Sequence, residues 1–164
     1  ENTFASDVSS REVLDAAILA HADAVARRLR RSGYCARTVV LKLKLARRVA
    51  PGPRGYPLLT RRATMDEPSD DGGLIADVAR RLLDREKLDE PVRLLGVGVA
   101  NLGSAAQTQL ALFGPDRERE RRSRLNRALD EIADRFGPRA VTRAGSAEVS
   151  RAGLSNQIKR GEEE

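Results

Sequence analysis

The chain has 164 residues, 40% hydrophobic and only 3% aromatic, with a formal net charge of +6. This length suffices for one compact core plus an appended segment, and the core must be built from Leu, Val, Ile and Ala. No apolar run approaches the roughly 20 residues that span a bilayer, and the charged N-terminus is not a signal peptide. The single cysteine, Cys35, excludes an internal disulfide and a cysteine-based zinc site, and it predicts a cytoplasmic setting. Because the chain opens at Glu1, we expect a fragment of a longer protein.

The positive charge is segregated along the sequence. No acidic residue occurs between Asp23 and Asp66, whereas the rest of the chain holds 18 basic and 24 acidic residues. This basic window predicts a surface for a polyanion; the alternative is a merely arginine-rich surface. Its twelve basic residues are Arg27, Arg28, Arg30, Arg31, Arg37, Lys42, Lys44, Arg47, Arg48, Arg54, Arg61 and Arg62.

The first elements follow from periodicity. Residues 1–6 predict the end of a short strand, and Ser9 with Glu12 three positions later predicts a capping box. A helix follows and ends at Gly33. Its apolar stripe is formed by Leu14, Ile18, Ala22, Val25 and Leu29.

From Thr38 to Leu45 the period drops to two, which predicts a strand with Lys42 and Lys44 on the face turned away from the core. A Pro- and Gly-rich turn at residues 51–55 leads into a second run, 56–64, that returns as the partner of an antiparallel hairpin. Arg61 and Arg62 both fall inside this run, and we expect a bulge to let both reach solvent.

A polar loop is expected at 66–73, then a second helix ending near Lys87, then a largely apolar strand over 92–101. The order predicts an α+β, two-layer βαββαβ fold, a four-stranded antiparallel-type sheet with both helices on one face. We expect three regions: a domain over 1–101, a linker over 102–115, and a tail over 116–164 that is helical to residue 136. The stripe of the tail helix is Leu125, Leu129, Ile132 and Phe136.

The sequence offers no convincing catalytic centre. His21 lies in the first helix without a second histidine or thiol nearby, and Asp70 and Asp71 precede the second helix, where capping explains them better than a metal does. Gly96 and Gly98 lie within a strand and lack the context of a phosphate loop. We expect no metal ligand in this chain.

A binding function fits better. An open sheet face with Lys42 and Lys44 can lie against a duplex and neutralise phosphates, with an affinity that falls steeply with salt. Exposed aromatic residues for stacking single strands are scarce. If Gly96 and Gly98 face outward, they let a nucleic-acid backbone approach the sheet; simple packing against a neighbouring strand is the alternative.

Four segments in order carry a resemblance: Glu1–Phe4, Arg37–Lys44, Thr60–Arg62 and Val92–Val99. Together they resemble the little finger domain of bacterial Y-family translesion DNA polymerases. The resemblance covers roughly residues 1–101 and implies that the sheet lies in the major groove of the primer–template and contacts backbone phosphates. The residues to which it assigns this role are Arg37, Thr38, Lys42, Lys44, Thr60, Arg61, Arg62 and Arg93.

The segment Gln109-Leu110-Ala111-Leu112-Phe113 resembles the peptide that follows this domain and binds the bacterial sliding clamp. Such a peptide docks with its amide at the rim and its apolar residues in a cleft. The implied partners are duplex DNA and the clamp, and we expect a monomer. The resemblance also implies that the parent is a nucleotidyltransferase using magnesium, with its carboxylates upstream of Glu1.

Three alternatives remain open. The same region could belong to a catalytically silent polymerase homologue that acts as a clamp-tethered adaptor. A free-standing RNA-binding α+β protein would need exposed aromatic residues on its sheet and would leave the clamp-like peptide unexplained. A structural oligomerisation domain would not need the basic window.

Overall fold

The computed structural model describes residues 1–49, 55–105, 117–137, 140, 141 and 143. Four strands and two helices form the body, and a third helix follows. In chain order the elements are β1 (Asn2–Val8), α1 (Arg11–Arg31), β2 (Tyr34–Leu45), β3 (Leu58–Ser69), α2 (Gly72–Asp84), β4 (Val92–Ser104) and α3 (Arg117–Phe136). The strands form one antiparallel sheet in the order β1-β4-β2-β3. The predicted α+β fold is confirmed.

Strand β2 lies inside the sheet, and its alternation divides the molecule into two faces. Val39, Leu41 and Leu43 are at most 1% exposed and belong to the core, which includes apolar residues of α1 and α2. Lys42 and Lys44 alternate with these residues and point to the opposite face, as the two-residue period predicts. Both helices therefore cover one side of the sheet only.

The helix termini follow ordinary capping chemistry. Helix α1 begins one residue later than the capping box predicts, because Ser10 rather than Ser9 is the N-cap and accepts a hydrogen bond from the Val13 amide. Gly33 follows the helix with a φ of 69°, the left-handed conformation that favours glycine. At α2, Oδ1 of Asp71 accepts from the Leu74 amide at 2.9 Å, so this acid is the predicted cap.

Two sequence expectations about β3 are wrong. The strand runs to Ser69, so the first half of the predicted polar loop over 66–73 is strand. The expected bulge between Arg61 and Arg62 is also absent, because β3 pairs with β2 in unbroken register from Leu58 to Thr64. The register shifts further on, between Ala36 and Thr38 of β2. Arg61 and Arg62 must therefore point to opposite faces.

Helix α3 packs on the helix side through polar side chains. Its one buried residue is Asn126, whose amide donates to Oδ2 of Asp71 at 3.0 Å. The stripe predicted to be buried is only partly so, since Leu125 is 54% exposed and Phe136 is 71% exposed. Among the described helices, none is long and apolar enough to cross a membrane.

His21 on α1 predicts a loss of stability in acid. Burial lowers the pKa of His21 to about 4 from 6.5, and Nε2 has no hydrogen-bond partner among the described residues. The unfolded chain binds this proton near pH 6.5, so the neutral histidine's stabilisation is complete above pH 6.5 and is lost as the pH falls toward 4. We expect the free energy of unfolding, measured with urea, to be lower at pH 4.5 than at pH 7.5, and His21 should contribute about 2 kcal/mol to this decrease.

The matched variant is His21→Gln, which cannot take up the proton. Its loss of stability between the two pH values should be smaller than that of the unaltered chain by this amount. Equal losses in both proteins would show that the folded chain accommodates a charged His21.

Candidate nucleic-acid interface

The face of the sheet opposite the helices is defined by register, because residues directly opposite one another share a face. Lys42 lies between Thr60 of β3 and Gly96 of β4, and Val40 lies between Arg62 and Gly98. We call this surface, which extends along β2 from Thr38 to Lys44, the open face. It also includes Leu58, Leu94 and Thr64.

Three cations of the open face form a compact basic group. Lys42 and Lys44 lie two residues apart on β2, at about 7 Å along the strand. Arg62 is the neighbour of Val40 on the edge strand β3 and is exposed. Neither Lys44 nor Arg62 forms an ion pair with any described residue, so both can receive an external anion.

Glu1 partly covers this group. Its carboxylate lies 3.6 Å from Nζ of Lys42, and both side chains are 48% exposed. Exposed pairs of this kind contribute about 0–1 kcal/mol and are screened by salt, so a phosphate can replace the carboxylate at little cost. Glu1 also lies over Gly96, where an added Cβ would be 2.5 Å from the Glu1 Cβ.

Gly98 leaves a gap in the open face. An added Cβ at this position would meet no atom within 4 Å, so the glycine borders open space rather than a packed neighbour. The two glycines thus differ: packing under Glu1 explains Gly96, whereas Gly98 keeps the backbone beside Val40 accessible to a large ligand.

Arg61 lies on the other face. It is directly opposite Leu41, a core residue, and its guanidinium makes a forked pair with Glu86 just after α2, at 2.6 and 2.8 Å. The structure therefore places Arg61 among the residues that join β3 to the end of α2, and it separates this arginine from Lys42 and Lys44.

The two predicted threonines also differ in position. Thr60 is exposed beside Lys42 on the open face. Thr38 is 6% exposed, and its hydroxyl accepts a hydrogen bond from the Asn101 amide at 2.8 Å. Asn101 itself has a φ of 54°, an uncommon conformation for a residue other than glycine. The Thr38 side chain is thus occupied within the sheet rather than presented to solvent.

Arg37 and Arg93 each contact other residues of the domain. Arg37 donates to the carbonyl oxygens of Met65 and Asp66 at 3.2 Å, at the register shift between β2 and β3. Arg93 lies beside the second register shift; its guanidinium is 4.8 Å from the Tyr56 ring centroid and 3.4 Å from Asp7. Both are exposed enough to contribute positive potential, although neither is a free cation.

Fewer cations of the basic window are available to an external anion than its composition suggests. Six of its twelve residues form ion pairs within the chain. Arg28, Lys44 and Arg62 form no ion pair with the described residues. The six pairs are Arg27 with Asp134, Arg30 with Asp130, Arg31 with Asp134, Lys42 with Glu1, Arg47 with Glu90 and Arg61 with Glu86.

Sequence reasoning missed two features of these surfaces. The first is the contact of Tyr56 with Arg93, which joins residues 37 positions apart and has no local signal. The second is the set of pairs between α1 and α3. Asp130 and Asp134 lie one turn apart and match the spacing of Arg27, Arg30 and Arg31, but this pattern is too common in charged helices to predict a specific contact.

The predicted clamp peptide, Gln109, Leu110, Leu112 and Phe113, lies outside the described residues. Within the described part of the chain, no group of three His, Cys, Asp or Glu residues is arranged to hold a metal ion.

Comparison with known proteins identifies the family of this chain. Residues 1–112 match the model of the impB/mucB/samB family C-terminal domain, which covers the whole sheet, α1 and α2. The chain therefore belongs to this family and is a C-terminal domain of the Y-family polymerase type.

Its relatives are similar well beyond the sheet. DNA polymerase IV of Moorella thermoacetica is 37% identical over 145 residues, 88% of this chain and 34% of the relative. DNA polymerase IV of Desulfatibacillum aliphaticivorans is 36% identical over 143 residues, 86% of this chain and 34% of the relative. That of Streptomyces coelicolor is 38% identical over 110 residues, 67% of this chain and 21% of the relative. The chain thus spans about a third or less of the length of these relatives.

The opposite orientations of Arg61 and Arg62 predict unequal effects on stability. Arg61→Ala removes a forked ion pair and leaves Glu86, only 13% exposed, without its partner, so it should cost about 1 kcal/mol. Arg62→Ala removes an exposed, unpaired side chain and should change stability by less than about 0.5 kcal/mol. Chemical unfolding of both variants makes the comparison, and a larger loss for Arg62→Ala would contradict the assignment of faces.

Proposed function

We propose that this domain holds duplex DNA by its open face and so keeps a DNA polymerase on the primer–template. The observation that carries the proposal is the position of Lys42, Lys44 and Arg62 on a sheet face that neither α1 nor α2 covers. Two of these cations make no ion pair within the described part of the chain, and the pair of Lys42 with Glu1 is exposed to salt and solvent.

The chemistry of the open face supports contact with phosphates rather than with base edges. Besides the carboxylate of Glu1, which a phosphate would replace, the open face presents two ammonium groups, one guanidinium and the hydroxyls of Thr60 and Thr64, all of which can donate to phosphate oxygens. The site presents no carboxamide or aromatic residue that would favour particular bases. A grip of this kind is independent of sequence, as a polymerase that follows any template requires.

The set of contact residues that we propose is narrower than the one implied by resemblance. Lys42, Lys44, Thr60 and Arg62 form its centre, and Gly98 allows the DNA backbone to approach. Arg37 and Arg93 are proposed to contribute through their positive potential at the two ends of the face. Arg61 and Thr38 are omitted, because each is engaged by a partner within the domain.

The test is duplex binding by the variant Lys42→Ala, Lys44→Ala, Arg62→Ala, which we call the open-face variant. Each lost phosphate contact should reduce the dependence of log affinity on log salt concentration by about 0.9, so the slope should become less steep by about 2 to 3. Affinity at low salt should fall by about tenfold or more. Fluorescence anisotropy with two unrelated duplex sequences gives both quantities.

The matched control is Arg81→Ala, Arg85→Ala, Lys87→Ala, which removes the same charge from exposed positions at the end of α2. It should lose much less affinity and keep a slope near that of the unaltered chain. If both triple variants lose affinity equally, net charge rather than the open face determines binding, and the proposal fails.

We further propose that Gln109-Leu110-Ala111-Leu112-Phe113 binds the bacterial sliding clamp. Sequence alone supports clamp binding. The peptide begins with the side-chain carboxamide of Gln109 and continues with leucine and phenylalanine, and it follows β4 in a stretch of small and polar residues. With DNA on the open face and the clamp on the peptide, the region would link the enzyme to its template and to the replication machinery in the cytoplasm.

Clamp binding is tested by calorimetry with the clamp of the same organism. The 164-residue chain should bind with a dissociation constant of about micromolar, and Gln109→Ala, Leu112→Ala, Phe113→Ala should abolish the signal. The control Gln107→Ala, Thr108→Ala changes the two preceding residues and should bind as the unaltered chain does. Equal binding by both variants would exclude the peptide as the contact.

The activity of a longer protein is a separate proposal. The relatives that carry the name DNA polymerase IV are about three times as long as the matched region, and we propose that a parent of this chain transfers nucleotides with magnesium bound elsewhere. The chain itself is proposed to act as a monomeric binding module.

A further inference from the structure

A second group of arginines lies far from the open face, at the C-terminal end of α1. Arg27, Arg28, Arg30 and Arg31 occupy the last turns of this 21-residue helix, where the helix dipole also favours positive charge. The last acidic residue of α1, Asp23, precedes this cluster and makes no ion pair with it. The carboxylates that pair with the arginines come from α3.

The carboxylates of α3 occupy these arginines in the geometry that phosphates use. Arg30 donates through Nε and Nη2 to the two oxygens of Asp130 at 2.6 and 2.9 Å, a fork that a phosphate group would accept equally well. Asp134, one turn further along α3, hydrogen-bonds to Arg27 and lies 3.5 Å from Nη2 of Arg31. Two anionic groups thus lie over three guanidinium groups.

Arg30 is preorganised for an anion. Its Nη1 donates to the Asp70 carbonyl oxygen at 2.7 Å, which fixes the plane of the guanidinium. Burial lowers the pKa of Arg30, but the hydrogen bond and charge of Asp130 and the charges of Asp70 and Asp71 outweigh it, and the pKa is raised. The group stays charged at any physiological pH.

The cover that α3 provides is held by polar contacts. No side chain of α3 joins the apolar core, and Leu125 and Phe136 face solvent. Further contacts of α3 with described residues include the hydrogen bond of Asn126 to Asp71 and the ion pair of Arg119 with Glu67, and Leu129 and Ile132 are half-buried. The pairs of the half-exposed Asp134 with Arg27 and Arg31 contribute little individually and weaken with salt, whereas the fork of Arg30 with Asp130 is largely buried. Because no apolar side chain of α3 joins the core, we expect α3 to detach at a lower free energy than global unfolding.

We propose that Arg27, Arg30 and Arg31 form a second phosphate-binding surface for duplex DNA, and that α3 covers it with Asp130 and Asp134. DNA phosphates replace the two carboxylates when α3 leaves the surface. Because the two states exclude each other, DNA binding and release of α3 are thermodynamically linked. The surface lies on the helix side, so it is independent of the proposed grip by the open face.

The experiment uses the 164-residue chain carrying the open-face variant, so that the first surface no longer dominates. Into this background we introduce Asp130→Asn, Asp134→Asn and measure duplex affinity at about 50 mM NaCl, where phosphate contacts are strong. Affinity should rise by at least about fivefold over a control with Glu120→Gln, Glu131→Gln. This control changes the net charge equally, at exposed positions of the same helix.

Two outcomes overturn the proposal in this experiment. One is that duplex affinity rises equally in the Asp130→Asn, Asp134→Asn variant and in its control, or rises in neither, which would mean that α3 covers no binding surface. The other is a rise that persists after Arg27→Ala, Arg31→Ala, which would place the phosphates elsewhere. Failure of the open-face grip would instead appear as unaltered affinity in the background itself.

Amide hydrogen exchange of the chain without substitutions gives an answer that does not depend on how a variant folds. Saturating duplex DNA should increase the exchange rate of residues 117–136, because bound phosphates displace α3. Unchanged or slower exchange in α3 on DNA binding would overturn the proposal.

Discussion

The two-residue period of β2 is the constraint on which both surfaces of this domain depend. Strand β2 is paired on both sides, so its register determines the facing of β3 and β4 as well as its own. Val39, Leu41 and Leu43 anchor that register, because a slip of one residue would turn three large apolar side chains to water and two lysines into the core. The hydrophobic core therefore fixes the basic face, although no core residue touches it.

The same constraint explains why neighbouring arginines have different roles. Unbroken pairing of β3 with β2 forces Arg61 toward the helices and Arg62 toward solvent. On the helix side a cation at the sheet edge is tolerated only with an acid nearby, and Glu86 at the end of α2 supplies it. On the open face Arg62 needs no partner because water solvates it.

Helix α3 shows how the domain distributes a large excess of positive charge. Acidic residues from a distant part of the chain pair with Arg27, Arg30 and Arg31 of α1, whereas Lys44 and Arg62 of the open face make no ion pair with the described residues. The net charge at the open face is thus more concentrated than the composition of the basic window implies. An amphipathic helix would ordinarily bury its apolar side; here Asn126 and the acids face the domain, whereas Leu125 and Phe136 face water. Leu129 and Ile132 are half-buried, so polar pairing and partial apolar burial together orient α3.

The sequence by itself determined the βαββαβ order, the core stripe of α1, capping of α2 by the Asp70–Asp71 pair and the outward facing of Lys42 and Lys44, because all of these follow from local periodicity and capping. It also carried the resemblance that family comparison bears out. Only the tertiary structure decided which partners Arg61, Thr38 and the arginines of α1 contact, since folding brings each partner close. Arg61 pairs with Glu86, Thr38 with Asn101, and the arginines of α1 with the carboxylates of α3. Periodicity tells which way a side chain points relative to its own element, but an ion pair between residues a hundred positions apart has no local pattern, so only the packed chain reveals which charges are free.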